Sequence, residues 1–157
     1  MVCGADRPVG VLSYVGIMAL SVEEREEFLA QPHIGALAVA AEDGRAPLVV
    51  PIWYQYEPGG DLWIHTGVDS RKARLIAAAG RFSLMVERLT PTVRYVSVEG
   101  PVVRTEPGTP ETLREMATRY IAPERLEEYI EFATENHGEA ITIHLHPEHW
   151  LSADLGE

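Results

Sequence analysis

A mainly β fold with peripheral helices, a split β-barrel of about six antiparallel strands, is predicted by three features of this 157-residue chain. Short apolar runs, several with inward/outward alternation, are bounded by Gly, Pro, Asn and Asp. The early runs are joined by turns too short for helical crossovers, which makes them antiparallel. Four capped helical segments are set around the strands rather than between every pair. With 46% hydrophobic residues the chain can build one core, so a single domain over residues 18–157 is expected after a loose N-terminal extension over 1–17.

Ser21-Val22-Glu23-Glu24 is a capping box that opens a helix, Pro32 closes it, and Phe28 and Leu29 are its core contacts. The small apolar run Ile34 to Ala41, the Asp43-Gly44 turn and the run Leu48 to Tyr56 read as a hairpin. Glu57 to Asp61 breaks the chain before Leu62 to Thr66 alternates as a third strand. A short helix follows as far as Ala79, ended by Gly80. Phe82 to Glu87 and Arg94 to Arg104 are two more strands, the second interrupted at Gly100-Pro101 as at a barrel corner. Thr109-Pro110 is an N-cap with proline in the first helical position, starting a helix to about Ile121. Pro123 starts another, with Leu126, Tyr129, Ile130 and Phe132 at helical spacing. After Asn136-His137-Gly138, Ala140 to Leu145 supplies the last expected strand.

The formal charge of −11 argues against nucleic acid and against an anionic membrane surface as partners. No run reaches the ~20 apolar residues of a spanning helix. Cys3 is the sole cysteine, so no internal disulfide can form, and a cytoplasmic setting is expected. Gly-x-Ser-x-Gly, Walker and Cys-His patterns are absent, so neither covalent nucleophilic catalysis nor NTP hydrolysis has a motif to rest on.

The chemistry concentrates where the third strand meets its helix. The only lysine, Lys72, follows Ser70 and Arg71 at the start of that helix. Two cations there oppose the helix dipole, at a cost of about 0.3–1 kcal/mol unless an anion compensates. The orphan N–H groups of the first turn favour the same anion, which points to a phosphorylated ligand. Trp53, Tyr54 and Tyr56 put aromatic rings on both faces of one strand, as core, subunit interface or a stacking surface. His144, His146, Glu148 and His149 are the one cluster of metal-ligating types, but a polar strand end accounts for them, and no metal is expected. The glutamates from Glu124 to Glu135 make a solvated helix face.

The segments Trp63-Ile64-His65-Thr66, Ser70-Arg71-Lys72-Ala73 and Arg94-Tyr95-Val96-Ser97-Val98-Glu99-Gly100 together resemble the FMN-binding split barrel of the pyridoxamine 5′-phosphate oxidase-like superfamily. The helix at Ser21 and the run Pro32 to Val39 extend the resemblance over most of the chain after Met18. It implies a flavin-type cofactor with Ser70, Arg71 and Lys72 on its phosphate, His65 and Thr66 lining phosphate and ring, and Tyr95 near the ring. It also implies a homodimer with cofactor sites at the interface and a small-molecule substrate. The strand Pro47 to Trp53 has none of the basic residues of classical members, and no arginine-bearing C-terminus is present to hold pyridoxamine phosphate. Both features are more similar to the branch that uses the deazaflavin coenzyme F420 for hydride transfer. There the ring would lie on the backbone of Val49, Val50, Pro51, Ile52 and Trp53. FMN is the alternative cofactor. A non-catalytic flavin or haem carrier is the alternative role, with haem bound through histidines such as His144 and His146.

Overall fold

A computed structural model describes residues 18–156; the expected N-terminal extension, with Cys3, lies outside the described residues. Eight strands form one antiparallel sheet in the order β2-β1-β5-β6-β7-β4-β3, with β8 added along β6. They are β1 (Gly35–Val39), β2 (Leu48–Ile52), β3 (Tyr54–Gln55), β4 (Leu62–Gly67), β5 (Arg81–Arg88), β6 (Arg94–Pro107), β7 (Ala140–Leu145) and β8 (His149–Asp154).

Strand alternation builds the core. Leu37 and Val39, Leu62 and Ile64, Leu84 and Val86, Val96 and Val98, and Ile143 and Leu145 are all buried, while their β1 and β4–β6 neighbours along the chain turn outward. Helix α1 (Val22–Ala30) closes one side with Phe28 and Leu29, and its Ser21–Glu24 capping box forms as expected. Helix α2 (Arg71–Ala79) buries Ala73, Leu75 and Ile76 and stops at Gly80, whose φ of 72° favours glycine. Helix α3 (Pro110–Tyr120) has the Thr109 cap and the proline at its start. A 3-10 turn at Pro123–Arg125 then leads into α4 (Leu126–Asn136).

Two strand expectations are corrected. The run Leu48 to Tyr56 is two strands rather than one. It breaks at Trp53, with β2 and β3 at opposite ends of the sheet path, so this residue crosses the seam of the split barrel. The C-terminal His149–Asp154 is a strand, pairing with β6 from Arg94↔Asp154 to Glu99↔His149. The corner expected at Gly100-Pro101 is present. β6 pairs with β5 as far as Pro101 and with β7 from Val102 onward, with a register shift between Val102 and Arg104. In α4, only Ala133 is buried, and Phe132 is 55% exposed.

The seam is tied to the helices by polar contacts. The Tyr54 hydroxyl, on a fully buried side chain, donates to the Leu29 carbonyl at 2.7 Å. The Tyr120 hydroxyl accepts from the Tyr54 N–H at 3.1 Å and has the His33 and Tyr54 carbonyls at 2.9 Å as acceptors. Arg119 donates to the Gln31 carbonyl at 2.7 Å. Tyr54→Phe removes the bond to Leu29 from a dry site. It is expected to cost about 1–3 kcal/mol and to lower Tm by about 3–10 °C, read by thermal denaturation with the native secondary structure retained at room temperature.

Candidate functional site

A cavity of about 1000 Å³ opens at the seam, between the ends of β2 and β4 on one side and the α3–α4 pair on the other. Pro51, Ile52 and Trp53 form the seam wall, and His65, Thr66 and Gly67 the β4 wall; Lys72 stands at the corner where β4 gives way to α2. Leu113, Met116 and Ala117 of α3, with Tyr129, Ala133 and Thr134 of α4, close the far side.

The corner is shaped by local rules. Ser70 caps α2 by accepting from the Ala73 N–H at 3.2 Å, and its hydroxyl lies 3.4 Å from that of the buried Thr66. The Val68 N–H donates to the Glu139 carbonyl at 3.1 Å, which brings the loop before β7, with His137 and Glu139, to the same rim. Among the described residues Lys72 has no ion-pair partner, and no acidic residue occupies the first turn of α2.

The expected site residues separate into two groups. Pro51, Ile52, Trp53, His65, Thr66 and Lys72 come together on the cavity wall. Val49, Val50, Ser70, Arg71 and Tyr95 do not line it. Val49 is 62% exposed on the outer face of β2, and Val50 packs against the core. Tyr95 pairs across the sheet with Glu87 and Ala153. Arg71 turns away to Glu42 in the β1–β2 turn, at 3.0 Å, so of the two expected cations only Lys72 lines the cavity. His144 is buried, beside Trp63 at a ring separation of 5.9 Å, with Nδ1 3.2 Å from an Arg104 nitrogen. The exposed His146 pairs with Asp61 at 2.9 Å. Neither histidine lines the cavity, and no cluster of three or more metal-ligating side chains occurs among the described residues.

Reading the sequence misses the helix wall. Leu113, Met116 and Ala117 recur at i, i+3 and i+4, and Tyr129 and Ala133 at i and i+4, a spacing that reads as ordinary core packing. Here part of that apolar face borders empty space. Trp53 stacks on Tyr120 with ring centres 4.9 Å apart and planes 11° from parallel, and Tyr129 tilts against it at 5.4 Å.

His65 stands close to Gly108, where a Cβ would lie 2.9 Å from the imidazole Nε2. Burial first, and then the neighbouring His137, holds its pKa below the usual 6.5. The sign follows from linkage: the unfolded chain takes up the proton first, so stability is full above about pH 6.5 and declines as pH falls below it. Burial lowers His33 and His144 in the same direction. Melts between pH 7.5 and 5.5 are expected to show Tm dropping below pH 6.5. A His65→Gln variant should show a shallower drop, and an unchanged slope would exclude His65 from this effect.

A family model described as pyridoxamine 5′-phosphate oxidase matches residues 21–152. The chain belongs to this family. No curated protein matches it in sequence. Among solved structures it is similar to Rv2991 from Mycobacterium tuberculosis, at 24% identity and TM-score 0.64, covering 90% of this chain and 88% of that one. It is similar to an F420 reductase at 20% identity and TM-score 0.57, covering 80% and 94%. A FAD-binding protein from Mesorhizobium loti is also similar, at 20% identity and TM-score 0.57, covering 88% and 98%. At these identities the structural likeness speaks for the split-barrel fold alone. No helix among the described residues is long and apolar enough to cross a membrane.

Proposed function

We propose that the protein is an F420-dependent oxidoreductase that transfers hydride to a small organic acceptor. The observation that carries this reading is the continuity of one cavity from Lys72 and Thr66 to the seam at Pro51, Ile52 and Trp53. That arrangement suits a ligand with an anionic tail at the helix start and a flat ring along the end of β2. Pro51 has no N–H to donate, so a ring laid there covers no proline donor.

Lys72 is the one cation on the cavity wall among the described residues, with Glu139 on the same rim, which suits a single phosphate at the helix start. Lys72 and the α2 N–H groups would hold the tail, Thr66 would offer its hydroxyl, and the seam residues and His65 would flank the ring. When bound, the deazaflavin supplies the hydride chemistry; the chain's part is to orient the two reactants and exclude water. FMN remains the second reading for one reason. The Arg71–Glu42 pair is exposed, and such pairs contribute about 0–1 kcal/mol, so Arg71 can be recruited to a dianion at little cost.

A homodimer belongs to the same proposal. The outer face of β1 and β2 presents Ala36, Ala38 and Val49, small or apolar side chains well suited to a flat contact with a second copy. The single cysteine suits a cytoplasmic setting. Titrating the purified protein with F420, FMN and haem, followed by absorbance and calorimetry, tests the cofactor assignment. Saturable F420 binding tighter than FMN is expected, and failure to bind either flavin-type cofactor would refute it.

A further inference from the structure

We infer that the exposed face of α4 docks a partner protein through a basic, amphipathic helix, whichever cofactor the seam cavity takes. Two features meet on this face. The first is an apolar notch. Ile121, Tyr129 and Phe132, with Arg125 and Glu128, line a cavity of about 180 Å³ where the end of α3 meets α4. Small-molecule sites start at roughly 300 Å³, so this one suits a single apolar side chain anchored by a larger partner. Phe132 is 55% exposed beside it, with its ring edge-on to His137 at 5.7 Å.

The second feature is charge. Glu124, Glu128, Glu131 and Glu135 recur at i, i+4, i+7 and i+11, all exposed, and none has an ion-pair partner among the described residues; on this helix only Glu127 does, with Arg114 at 2.7 Å. Like charges three or four residues apart repel along a helix. Glu131 and Glu135 also lie toward the C-terminal end of α4, where no basic residue occupies the last turn to meet the helix dipole. Cations supplied from outside would relieve both costs. A helix that sets lysines or arginines against this stripe and one apolar side chain in the notch is complementary in charge and in shape. A second copy of the chain is not, because a two-fold contact would turn the acidic stripe on itself in a chain of formal charge −11. Residues 1–17 carry one basic side chain, Arg7, against the acidic Asp6. They lack the charge to cover the stripe.

The test titrates the full-length protein calorimetrically with an amidated peptide of about 15 residues, leucines along one helical face and lysines along the other, and with a twin carrying glutamate for lysine. The lysine peptide is expected to bind at least about tenfold more tightly than its twin, and to weaken as salt rises. Phe132→Ser, at an exposed position, should cost about tenfold or more in affinity. Glu131→Lys with Glu135→Lys should cost as much. The same change of charge on α1, Glu23→Lys with Glu27→Lys, also at exposed positions, should cost less than about threefold. Circular dichroism checks that each variant is folded. No binding of the lysine peptide, full affinity in folded Phe132→Ser, or an equal loss in the α1 pair, which would mean attraction to net charge alone, would each overturn the inference. Loss of a dimer in sedimentation of the Phe132 or Glu131 and Glu135 variants would assign the face to a second copy. Binding about tenfold tighter in a Val11→Asp, Val15→Asp chain would assign it to the chain's own N-terminal segment. Either outcome also removes the partner protein.

Discussion

Replacing Lys72 with alanine is expected to weaken F420 binding by about 10- to 150-fold, the equivalent of one charge-assisted hydrogen bond worth about 1.5–3 kcal/mol. The fold should not suffer. Lys72 sits in the first turn of α2, where its charge opposes the helix dipole, and it has no ion-pair partner among the described residues. Removing it relieves about 0.3–1 kcal/mol of misplaced charge, so Tm should hold or rise slightly. Arg71→Ala is the informative companion. If Arg71 stays with Glu42 in the complex, its loss changes affinity by less than about threefold, in line with the value of an exposed pair. A loss in both variants, seen with FMN and not with F420, would show that Arg71 swings to a dianionic phosphate and would favour FMN. Unchanged F420 affinity in Lys72→Ala would remove the anion site altogether. Calorimetric titration of the three proteins, at a fixed ionic strength because Lys72 is only half-buried, separates these results.

Features that depend on neighbouring residues alone were legible before folding was considered. The Ser21, Ser70 and Thr109 caps, the Gly80 stop and the corner at Gly100-Pro101 are each written within a few residues and appear where expected. The split at Trp53 was not legible, because Leu48 to Tyr56 is continuously apolar and aromatic. Only the distant pairings, β2 with β1 and β3 with β4, pull its halves apart. β8 is hidden for a related reason: His149, Ser152 and Asp154 break any apolar alternation, and the segment becomes a strand, with only Ala153 buried, by pairing with half of a long β6. At the site, Lys72, His65 and Thr66 are close in sequence, so the corner could be foreseen. The direction of Arg71 depends on Glu42, 29 residues away in another turn, and the α3–α4 wall depends on a gap between elements that periodicity cannot distinguish from a filled core.

The largest loss of stability is expected from Gly100→Ala. Gly100 is buried in β6 at the place where this strand leaves β5 for β7, and the chain between β7 and β8 passes directly over it. A methyl group there would overlap the His146 carbonyl oxygen and lie 2.9 Å from its carbon and 3.3 Å from the Glu148 nitrogen. These are backbone atoms, so no side-chain rotation relieves the clash. Nor can the segment retreat freely, since the His146 N–H donates to the Pro101 carbonyl at 3.0 Å and the Glu148 N–H to the Glu99 carbonyl at 2.9 Å. Overpacking of ordinary side chains costs about 1–3 kcal/mol. With rigid backbone on both sides, a loss of about 3 kcal/mol or more is expected, which lowers Tm by about 6–12 °C for a chain of this size. Gly67→Ala is the control. It also lies in a strand, with nothing within 4 Å of the new methyl group, and should stay within about 0.5 kcal/mol of the parent. The corner also holds β7 in place, and β7 supports β4 along the cavity wall from Leu62 to Gly67. Gly100→Ala should therefore weaken cofactor binding through β4 even at temperatures where most of the protein remains folded, and full affinity in the folded variant would show that the corner and the cavity are mechanically independent.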